Sequence, residues 1–487
     1  MSRDNNCTHL LLDRHVRGGL SGKQALVEVD NAARRTMTYG DLEDAVERAA
    51  MFLSSRLPHG AGARVMIIGG STLEVITFWL ATMRLGHVAV LVHPQQHETY
   101  YDGVLDDVRP ALTFAAGSHF SFAERLPAIT ELQREVSRLA GPPCDVEPTA
   151  PALALLSSGS TGRPKVCVHP HAAFSEFHSA VTTIAWRIQQ TDRILATSGP
   201  YFSFGLQGIH VPLSIGATAV LQPTFETHTD FLDTVQSEGV TVMLAVPTLF
   251  HLLWSRATSG HDLGSLRISL SAGERLPDVV RQRWERRSGS IVIDSIGTTE
   301  TFMPYFSEHV SEPNQGLQPV SAFDHQLTAV AAMDTGDAQV SEIMVRSPAM
   351  MRGMLRGGQL EPRDASEWFA PADLFLRDGH RYHFVSRRGE GFKSGGLWVF
   401  PQSVEEALLA VPGSLLAAAV PIETEEGLLR VRAYAVLQPG TDAQEWLARA
   451  EQHVRQLRPK ALKPESIRIV TALPLTPTGK MLRRAIA

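Results

Sequence analysis

The chain has 487 residues, of which 44% are hydrophobic and 20% charged, and its formal net charge is −6. This length allows two to four domains with a sizeable core, and the slight acidity argues against bulk nucleic-acid binding. Three cysteines without a Cys-x-x-Cys pair argue against a disulfide framework or a zinc site and favour a reducing compartment. There is no apolar signal core and no long apolar run, so we expect a cytoplasmic protein without a membrane span.

Strands and helices alternate over the first 320 residues. Thr38 is placed to cap a helix whose apolar positions run from Leu42 to Leu53, and Asp41 in its first turn suits the helix dipole. A strand (64–68), a helix from about Thr72 to Leu85 and a strand (88–92) predict a right-handed parallel unit. Further strands are predicted at 25–29, 111–115, 153–156, 193–196, 217–221, 240–246 and 268–272. This order predicts an α/β protein with more than one parallel sheet.

The pattern changes after residue 320. Short alternating strands at 326–332 and 339–345 predict a small β subdomain over about 320–387. From residue 388 the predicted order is a helix (401–410), strands (416–421 and 431–437), a helix (442–457) and a strand (467–470). This compact α+β unit is large enough to move as its own domain. We therefore divide the chain into an N-terminal domain, 1–387, and a C-terminal domain, 388–487.

A polar loop follows the apolar run 152–156 and reads Ser157-Ser158-Gly159-Ser160-Thr161-Gly162-Arg163-Pro164-Lys165. Glycines let the backbone approach a ligand, hydroxyls and amides donate hydrogen bonds, and lysine supplies a point charge, so the loop suits an oligophosphate. Because the lysine follows a proline, the loop lacks the G-x-x-x-x-G-K-[ST] frame of a Walker A loop. The alternative is an ordinary Gly/Ser surface turn.

Four more motif-like stretches follow this loop along the chain. They are Phe202-Ser203-Phe204-Gly205-Leu206 within 200–216, Asp294-Ser295-Ile296-Gly297-Thr298-Thr299-Glu300, Ala372-Asp373-Leu374 to Lys393-Ser394-Gly395-Gly396, and Pro474-Leu475-Thr476-Pro477-Thr478-Gly479-Lys480. Together the five stretches resemble the adenylate-forming superfamily of acyl- and aryl-CoA ligases, carrier-protein adenylation domains and luciferases. The spacing over 202–217 is most similar to benzoate-type ligases.

The resemblance implies a fold and a two-step reaction. The fold is a large N-terminal domain of two packed α/β sheets plus a β subdomain, followed by a small mobile α+β domain. ATP, Mg²⁺ and a carboxylic acid first give an acyl-adenylate and pyrophosphate. The small domain then rotates, and a thiol, either CoA or a carrier-protein pantetheine, takes the acyl group. Two aromatics and small residues in the pocket favour a flat, apolar acid, and a homodimer is a family-level expectation.

The same resemblance implies roles for individual residues. Lys480 matches the catalytic lysine, Glu300 the acidic Mg²⁺ ligand, Thr299 a residue that bonds the α-phosphate, and Asp373 with Arg387 the ribose-binding pair. The other nucleotide-binding positions are Ser157, Ser158, Gly159, Ser160, Thr161, Gly162, Lys165, Ala272, Gly273, Glu274, Asp294, Ser295, Gly297, Thr298 and Lys393. The acid pocket comprises Phe202, Ser203, Phe204, Gly205, Ile296, Gly297 and Met303, and the thiol tunnel comprises Gly395, Gly396 and Trp398. For the pocket aromatics, the alternative is a plain core role.

Some positions depart from the family pattern. The usual T-G-D is Pro371-Ala372-Asp373, Gly389 stands at the hinge position, Val166 replaces a glycine, and Ser341-Glu342 replaces Gly-Glu. These departures concern the second half-reaction more than the first. They keep two alternatives open: an enzyme that loads its acid onto a carrier protein or another acceptor, and a degenerate protein that holds nucleotide without catalysis. Intact acidic and lysine positions argue against the degenerate protein.

Overall fold

The computed structural model describes residues 5–30, 33–117, 120–136, 141–157, 164–257, 260–330, 340–394, 397–424, 427–457, 460–476 and 481–486. The strands are β1 (Gln24–Asp30), β2 (Ala33–Thr38), β3 (Arg64–Ile68), β4 (Val88–Val92), β5 (Leu112–Ala115), β6 (Glu124–Arg125), β7 (Pro151–Ser157), β8 (Lys165–Pro170), β9 (Arg193–Ala196), β10 (Thr218–Leu221), β11 (Val242–Ala245), β12 (Ile268–Ala272), β13 (Ile291–Gly297), β14 (Pro304–Ser307), β15 (Gln318–Pro319), β16 (Asp324–Ala329), β17 (Val340–Arg346), β18 (Gly353–Arg356), β19 (Gln359–Pro362), β20 (Asp373–Asp378), β21 (Arg381–Arg387), β22 (Phe392–Ser394), β23 (Leu397–Val399), β24 (Ser414–Glu423), β25 (Leu429–Leu437) and β26 (Ser466–Ile469).

The helices lie between these strands. They are α1 (Tyr39–Ser54), α2 (Leu73–Arg84), α3 (Glu98–Val108), α4 (Ile129–Glu135), α5 (Ala172–Phe177), α6 (Ser203–Ile215), α7 (Asp230–Glu238), α8 (Pro247–Arg256), α9 (Asp278–Ser288), α10 (Pro401–Ala410) and α11 (Ala443–Arg455). Thr38 caps α1 as predicted: its hydroxyl accepts from the Asp41 amide at 3.1 Å, and the Asp41 carboxylate accepts from the Thr38 amide at 3.0 Å. Within the described ranges, no helix is long and apolar enough to cross a membrane.

Two large sheets carry most of the N-terminal part. The first runs β15-β14-β13-β12-β11-β9-β10-β1-β2, and its strands from β13 to β1 are parallel. The second runs β19-β18-β8-β7-β4-β3-β5-β6, with parallel pairing from β7 to β6. Because β11, β12 and β13 are parallel neighbours, the loops after their carboxyl ends meet at one edge of the first sheet, which is where open α/β sheets bind ligands.

The predicted β subdomain is smaller than 320–387. Strands β16, β17, β20 and β21 form an antiparallel sheet, whereas β18 and β19 leave it and pair with the second large sheet, Gly353 lying opposite Val168. Leu355 on β18 is buried in the same apolar cluster as Val166 and Val168, so leaving that sheet would expose it. A side chain at Gly353 would lie 2.0 Å from the Glu361 carbonyl, so glycine permits the close β18–β19 approach.

The C-terminal unit is a β24-β25-β26 sheet with α10 and α11 packed on one face. Its other face carries Leu416, Ala418 and Val420, which share an apolar cluster with Leu249 and Leu253 of α8. The small unit is therefore docked on the large one through α8 and α9. The domain boundary at 387/388 stays a prediction.

Candidate active site

The segment that follows the predicted catalytic lysine is docked on the large domain. Met481, the residue after Lys480, donates its amide to Glu274 Oε1 at 2.9 Å. The other oxygen of Glu274 accepts from the Thr248 hydroxyl at 2.7 Å and the Thr248 amide at 3.1 Å. Leu475 and Met481 form an antiparallel bridge, so the ends of the intervening loop lie side by side. Glu274, predicted to bind nucleotide, thus anchors this loop at the edge where β11 and β12 end.

Asp373 and Arg387 come together as predicted for a ribose site. They face each other across β20 and β21, with Arg387 Nε 3.0 Å from Asp373 Oδ1. The Tyr305 hydroxyl donates to the other carboxylate oxygen. Asp373 is 1% exposed, whereas the Arg387 side chain is about half exposed, so the guanidinium presents an open edge to solvent. Sequence reasoning missed Tyr305, because its 68-residue separation from Asp373 leaves no local signal.

Ala372 occupies a conformation that usually belongs to glycine. Its φ is +66°, and its carbonyl accepts from the Arg388 amide at 2.6 Å. An L-residue with a Cβ is disfavoured in the left-handed region by roughly 1 kcal/mol. The residue before Asp373 therefore holds a strained, left-handed backbone conformation.

The turn after β13 brings Glu300 to the end of the β7–β8 hairpin. Burial, with a contribution from the Glu300 carboxylate, raises the pKa of the Cys167 thiol above its usual range, while the Ser157 hydroxyl and the Lys165 ammonium oppose that rise. The Glu300 carbonyl accepts from the Met351 amide at 3.0 Å, two residues before the strand β18 that pairs with β8. Ser157 and Lys165 pair across the hairpin, so the two ends of the predicted phosphate loop lie side by side. Ser158, Gly159, Ser160, Thr161 and Gly162 lie outside the described residues.

The donor set fits a magnesium nucleotide. Glu300 offers one hard carboxylate, and the described residues hold no group of three metal-ligating side chains. Mg²⁺ is commonly bound by one or two carboxylates together with substrate phosphates, so a single protein ligand is the expected arrangement. The Thr298 hydroxyl oxygen is buried without a hydrogen-bond partner and is free to bond a phosphate. A Cβ at Gly297 would lie 2.8 Å from the Met303 carbonyl, which keeps this turn tight.

Asp294 and Ser295, both predicted to bind nucleotide, have internal partners. Asp294 accepts from the Ser271 hydroxyl at 3.0 Å, and its amide donates to Glu308, which pairs with buried Arg281 at 2.9 Å. Burial and the nearby Glu308 carboxylate raise the pKa of Asp294 to about 7. The Ser295 hydroxyl bonds Ser307 at 2.8 Å. Ala272 and Gly273, which has φ +89°, lead directly into Glu274.

The predicted acid pocket surrounds the beginning of α6. Ser203 Oγ donates to the Phe302 carbonyl at 3.1 Å, and Phe204 packs against both the main core and the cluster shared with the C-terminal unit. At Gly205 an added Cβ would lie 2.1 Å from the Gly199 carbonyl, so only glycine fits. Ile296 is partly buried against the core, and Met303 is fully buried within it. Met303 is therefore placed behind the pocket rather than on its surface.

Aromatic and polar residues missed by sequence reasoning complete this region. His93, at the end of β4, lies 4.2 Å from Tyr201 and 5.8 Å from Phe202 between ring centroids. Burial lowers the pKa of His93 to about 4. Phe302 has φ +64°, and its ring stacks on His210 at 5.3 Å. A histidine directly after a buried strand was the available signal for His93; Phe302 had none.

Gln207 is a further residue that the motifs did not indicate. It follows Ser203 by four residues and precedes His210 by three, so all three share one face of α6. Ser203 and His210 both contact Phe302, which places Gln207 opposite the turn after β13. Gln207 is 5% exposed, and its Oε1 is buried without a partner.

Of the predicted thiol-tunnel residues, Trp398 lies on β23, which pairs with β22. Lys393 Nζ lies 5.6 Å from the centroid of the Trp398 ring, its cross-strand neighbour, and Trp398 stacks on Phe400 at 6.4 Å. Gly395, Gly396 and Lys480 lie outside the described residues. The hairpin lies on the C-terminal unit, and Trp398 packs against the apolar cluster that contains Leu374, the residue after Asp373. A role of the hairpin in the second half-reaction stays a prediction.

Two family models match the chain: AMP-binding enzyme over residues 12–355 and AMP-binding enzyme C-terminal domain over residues 403–480. The chain belongs to the AMP-binding enzyme family. This confirms the resemblance deduced from the five motifs and the predicted fold class.

Curated relatives of this AMP-binding enzyme include CoA ligases named for aromatic acids. It is 28% identical to the 4-hydroxybenzoate–CoA/benzoate–CoA ligase of Rhodopseudomonas palustris, over 99% of this chain and 93% of that protein. It is also 28% identical to the benzoate–CoA ligase of Thauera aromatica, over 98% and 95% of the two chains. Among solved structures, the anthranilate CoA ligase AuaEII in complex with anthranoyl-AMP has a similar fold, with a TM-score of 0.89, 23% identity, and coverage of 100% and 98%.

Proposed function

We propose that this AMP-binding enzyme is an ATP-dependent aryl-acid–CoA ligase. In the first half-reaction the acid's carboxylate attacks the α-phosphorus of ATP, the bond to the β-phosphate breaks, and pyrophosphate leaves. In the second, the CoA sulfur attacks the acyl carbon, AMP leaves, and the thiol proton is released. The observation that carries the proposal is the Met481–Glu274 contact, which holds the catalytic-lysine segment at the site formed by the large domain.

In this proposal the first half-reaction is divided among the residues of the motifs. Asp373 and Arg387 hold the ribose, Lys165 and the loop it closes hold the outgoing phosphates, and Thr299 bonds the α-phosphate. Glu300 holds Mg²⁺, which supplies positive charge to the phosphate oxygens when bound. Lys480 approaches the carboxylate and α-phosphate, two anions that must be brought together. A cytoplasmic location, a homodimer and the boundary at 387/388 remain predictions from the sequence.

Pyrophosphate release measured across a panel of aromatic and short aliphatic acids, with ATP and Mg²⁺, tests this function. We expect acid-dependent release that falls by roughly 100-fold or more in Lys480→Ala, because the variant loses a charge-assisted contact in the transition state. Lys460→Ala, an exposed lysine on the same domain, is the control. No release with any acid would favour the nucleotide-binding protein. Release without acyl-CoA formation would favour a carrier protein or another acceptor.

Gln207 supports a narrower substrate class: aromatic acids with a hydroxyl or amino substituent on the ring. An unpartnered buried amide oxygen is costly by about 1–3 kcal/mol, and a ring substituent that donates a hydrogen bond to Gln207 Oε1 would remove that cost. A hydroxyl and an amino group can both donate to this oxygen, so both are suitable.

Comparison of benzoate with hydroxy- and aminobenzoates tests the role of Gln207. We expect wild type to prefer a substituted acid by about tenfold or more in kcat/KM, and Gln207→Leu to lose that preference while keeping benzoate turnover. Benzoate turnover is the internal control for folding. Equal selectivity in wild type and Gln207→Leu would contradict the assignment.

A further inference from the structure

We infer that Arg283 and His251 are positioning residues for the first half-reaction. They hold the C-terminal unit in the orientation in which Met481 is docked on Glu274, and they must release it before the thiol can enter. The inference rests on the proposed function, since it requires two half-reactions with different domain orientations.

Arg283 of α9 caps a helix that belongs to the other domain. Its Nη1 donates to the Leu409 carbonyl at 2.9 Å, and its Nη2 donates to the Ala410 carbonyl at 3.4 Å. Helix α10 ends at Ala410, and the last carbonyls of a helix lack intrahelical partners and carry partial negative charge. A guanidinium is well suited to this position because it presents several donors and a permanent positive charge.

His251 of α8 makes a similar contact with the first residue of β24. Its Nε2 lies 3.2 Å from the Ser414 carbonyl, and the side chain is 2% exposed. Burial, together with the nearby Arg283, lowers the pKa of His251 to about 4, so the ring is neutral near pH 7. A carbonyl can only accept, so Nε2 carries the proton.

Trp254 joins these two groups into one platform. The Arg283 guanidinium carbon lies 4.6 Å from the Trp254 ring centroid, and the His251 ring stacks on Trp254 at 5.3 Å with an interplanar angle of 25°. The platform belongs to the large domain, whereas all three carbonyls that it binds belong to the small one. Its side chains keep one another in place when the small domain leaves.

Neighbouring contacts define the same orientation. Arg275 pairs with Glu406 at 3.1 Å, and the other oxygen of Glu406 accepts from the Asp278 amide at 3.3 Å. These contacts and the platform exist in one orientation only, so they raise the population of that orientation relative to any other. Weakening them should slow adenylation, which needs Lys480 at the site, and should spare thioester formation.

The two half-reactions can be measured separately with the full-length enzyme. The first is followed by acid-dependent ATP–pyrophosphate exchange, and the second by thioester formation from supplied acyl-adenylate and CoA. We expect Arg283→Gln to reduce exchange by about tenfold and to leave the second rate unchanged or higher, because the docked orientation becomes less populated. Arg283→Lys should recover part of the loss. Arg286→Gln, an exposed arginine on the same helix, is the matched control.

Equal slowing of both half-reactions, or unchanged exchange in the Arg283→Gln/His251→Phe double variant, would overturn the inference. If the double variant does not fold, Glu406→Gln provides the same comparison from the other side of the interface. A second readout does not depend on catalysis: limited proteolysis of the segment between the two units should be faster in Arg283→Gln than in Arg286→Gln. If wild type shows no exchange with any acid, the proposed function fails, and the role of Arg283 and His251 in the first half-reaction fails with it; the proteolysis comparison then decides only whether Arg283 holds the two units together.

Discussion

The part of the site proposed to bind the ribose (the ribose end) and the part proposed to bind the acyl group (the acyl end) are built on opposite electrostatic principles. At the ribose end, buried Asp373 has partners within the chain, Arg387 and Tyr305. At the acyl end, around Phe302, Nε2 of His210 and Oε1 of Gln207 are buried without partners. One end is charged and internally paired; the other is neutral and leaves hydrogen-bonding capacity unused.

The difference follows from the cost of burial. An unpaired buried charge is costly enough that its partner must be part of the chain. A neutral polar atom without a partner costs only about 1–3 kcal/mol, which a stable fold can tolerate. The ion pair of the ribose end is thus formed without ligand, whereas buried polar atoms of the acyl end have no hydrogen-bond partner among the described residues.

The largest effect should come from breaking the charged end. Asp373→Asn removes the charge that orients Arg387 and is expected to lower kcat/KM for ATP by roughly 100-fold, with an increase in KM for ATP. Tyr305→Phe keeps the ion pair and should lose only about tenfold. A fully active Asp373→Asn would show that the pair is merely structural.

Glu300→Gln should weaken Mg²⁺ binding and leave ribose binding unchanged. The amide is a weaker Mg²⁺ ligand, so half-saturating Mg²⁺ in pyrophosphate exchange should rise by about tenfold. Exposed Glu367→Gln is the control and should leave the Mg²⁺ titration unchanged. The same titration curve for Glu300→Gln and wild type would remove Glu300 from the metal site.

The neutral end should be sensitive to acid. Burial lowers the pKa values of His169 and His210 to about 3, below the ordinary value of 6.5. Between these values the unfolded chain binds more protons than the folded one, so stability falls as pH decreases, by at most about 1.4 kcal/mol per pH unit for each histidine.

His210→Leu should therefore flatten the decrease in melting temperature between pH 7 and pH 5. Exposed His59→Gln serves as the control. An unchanged slope in His210→Leu would mean that this ring is not kept neutral by burial.

The smallest effect concerns the backbone beside Asp373. Ala372→Gly removes the backbone strain of an L-residue in the left-handed region and should stabilise the protein by about 0.5–1 kcal/mol. This should be visible as a rise of about 1–2 °C in the melting temperature. Gly389→Ala, at φ +90° with open space around it, should change stability in the opposite direction. Destabilisation by Ala372→Gly would show that Ala372 makes a contact worth more than its strain.

Motifs and periodicity predicted much of this molecule. The Thr38–Asp41 cap, the limits of β3, β4, β9, β12 and α10, and the pairing of Asp373 with Arg387 agree with the structure. These features depend on local propensity or on short, rigid motifs. Roles for Lys480, for Ser158 to Gly162 and for Gly395 and Gly396 stay predictions, because these positions lie outside the described residues.

Other features had no local signature. Strands β18 and β19 fall within the range 320–387 assigned to the subdomain but belong to the second large sheet, because local sequence does not specify the strand with which they pair. Tyr305, Gln207 and Phe302 depend on neighbours far away in the chain, so pattern reading passed over them. Their positions follow from packing, which brings side chains that belong to no motif into contact with residues of the motifs.

The sequence by itself determined the family, the order of strands and helices, and the residue types available for phosphate, metal and ribose binding, because those signals are local. Only the tertiary structure decided how the two units meet: Glu274 on the Met481 amide, Arg283 and His251 on the carbonyls of 409, 410 and 414. Each of these contacts ends on a backbone group. Every residue carries the same backbone, so no sequence pattern marks such a partner, and only folding selects it.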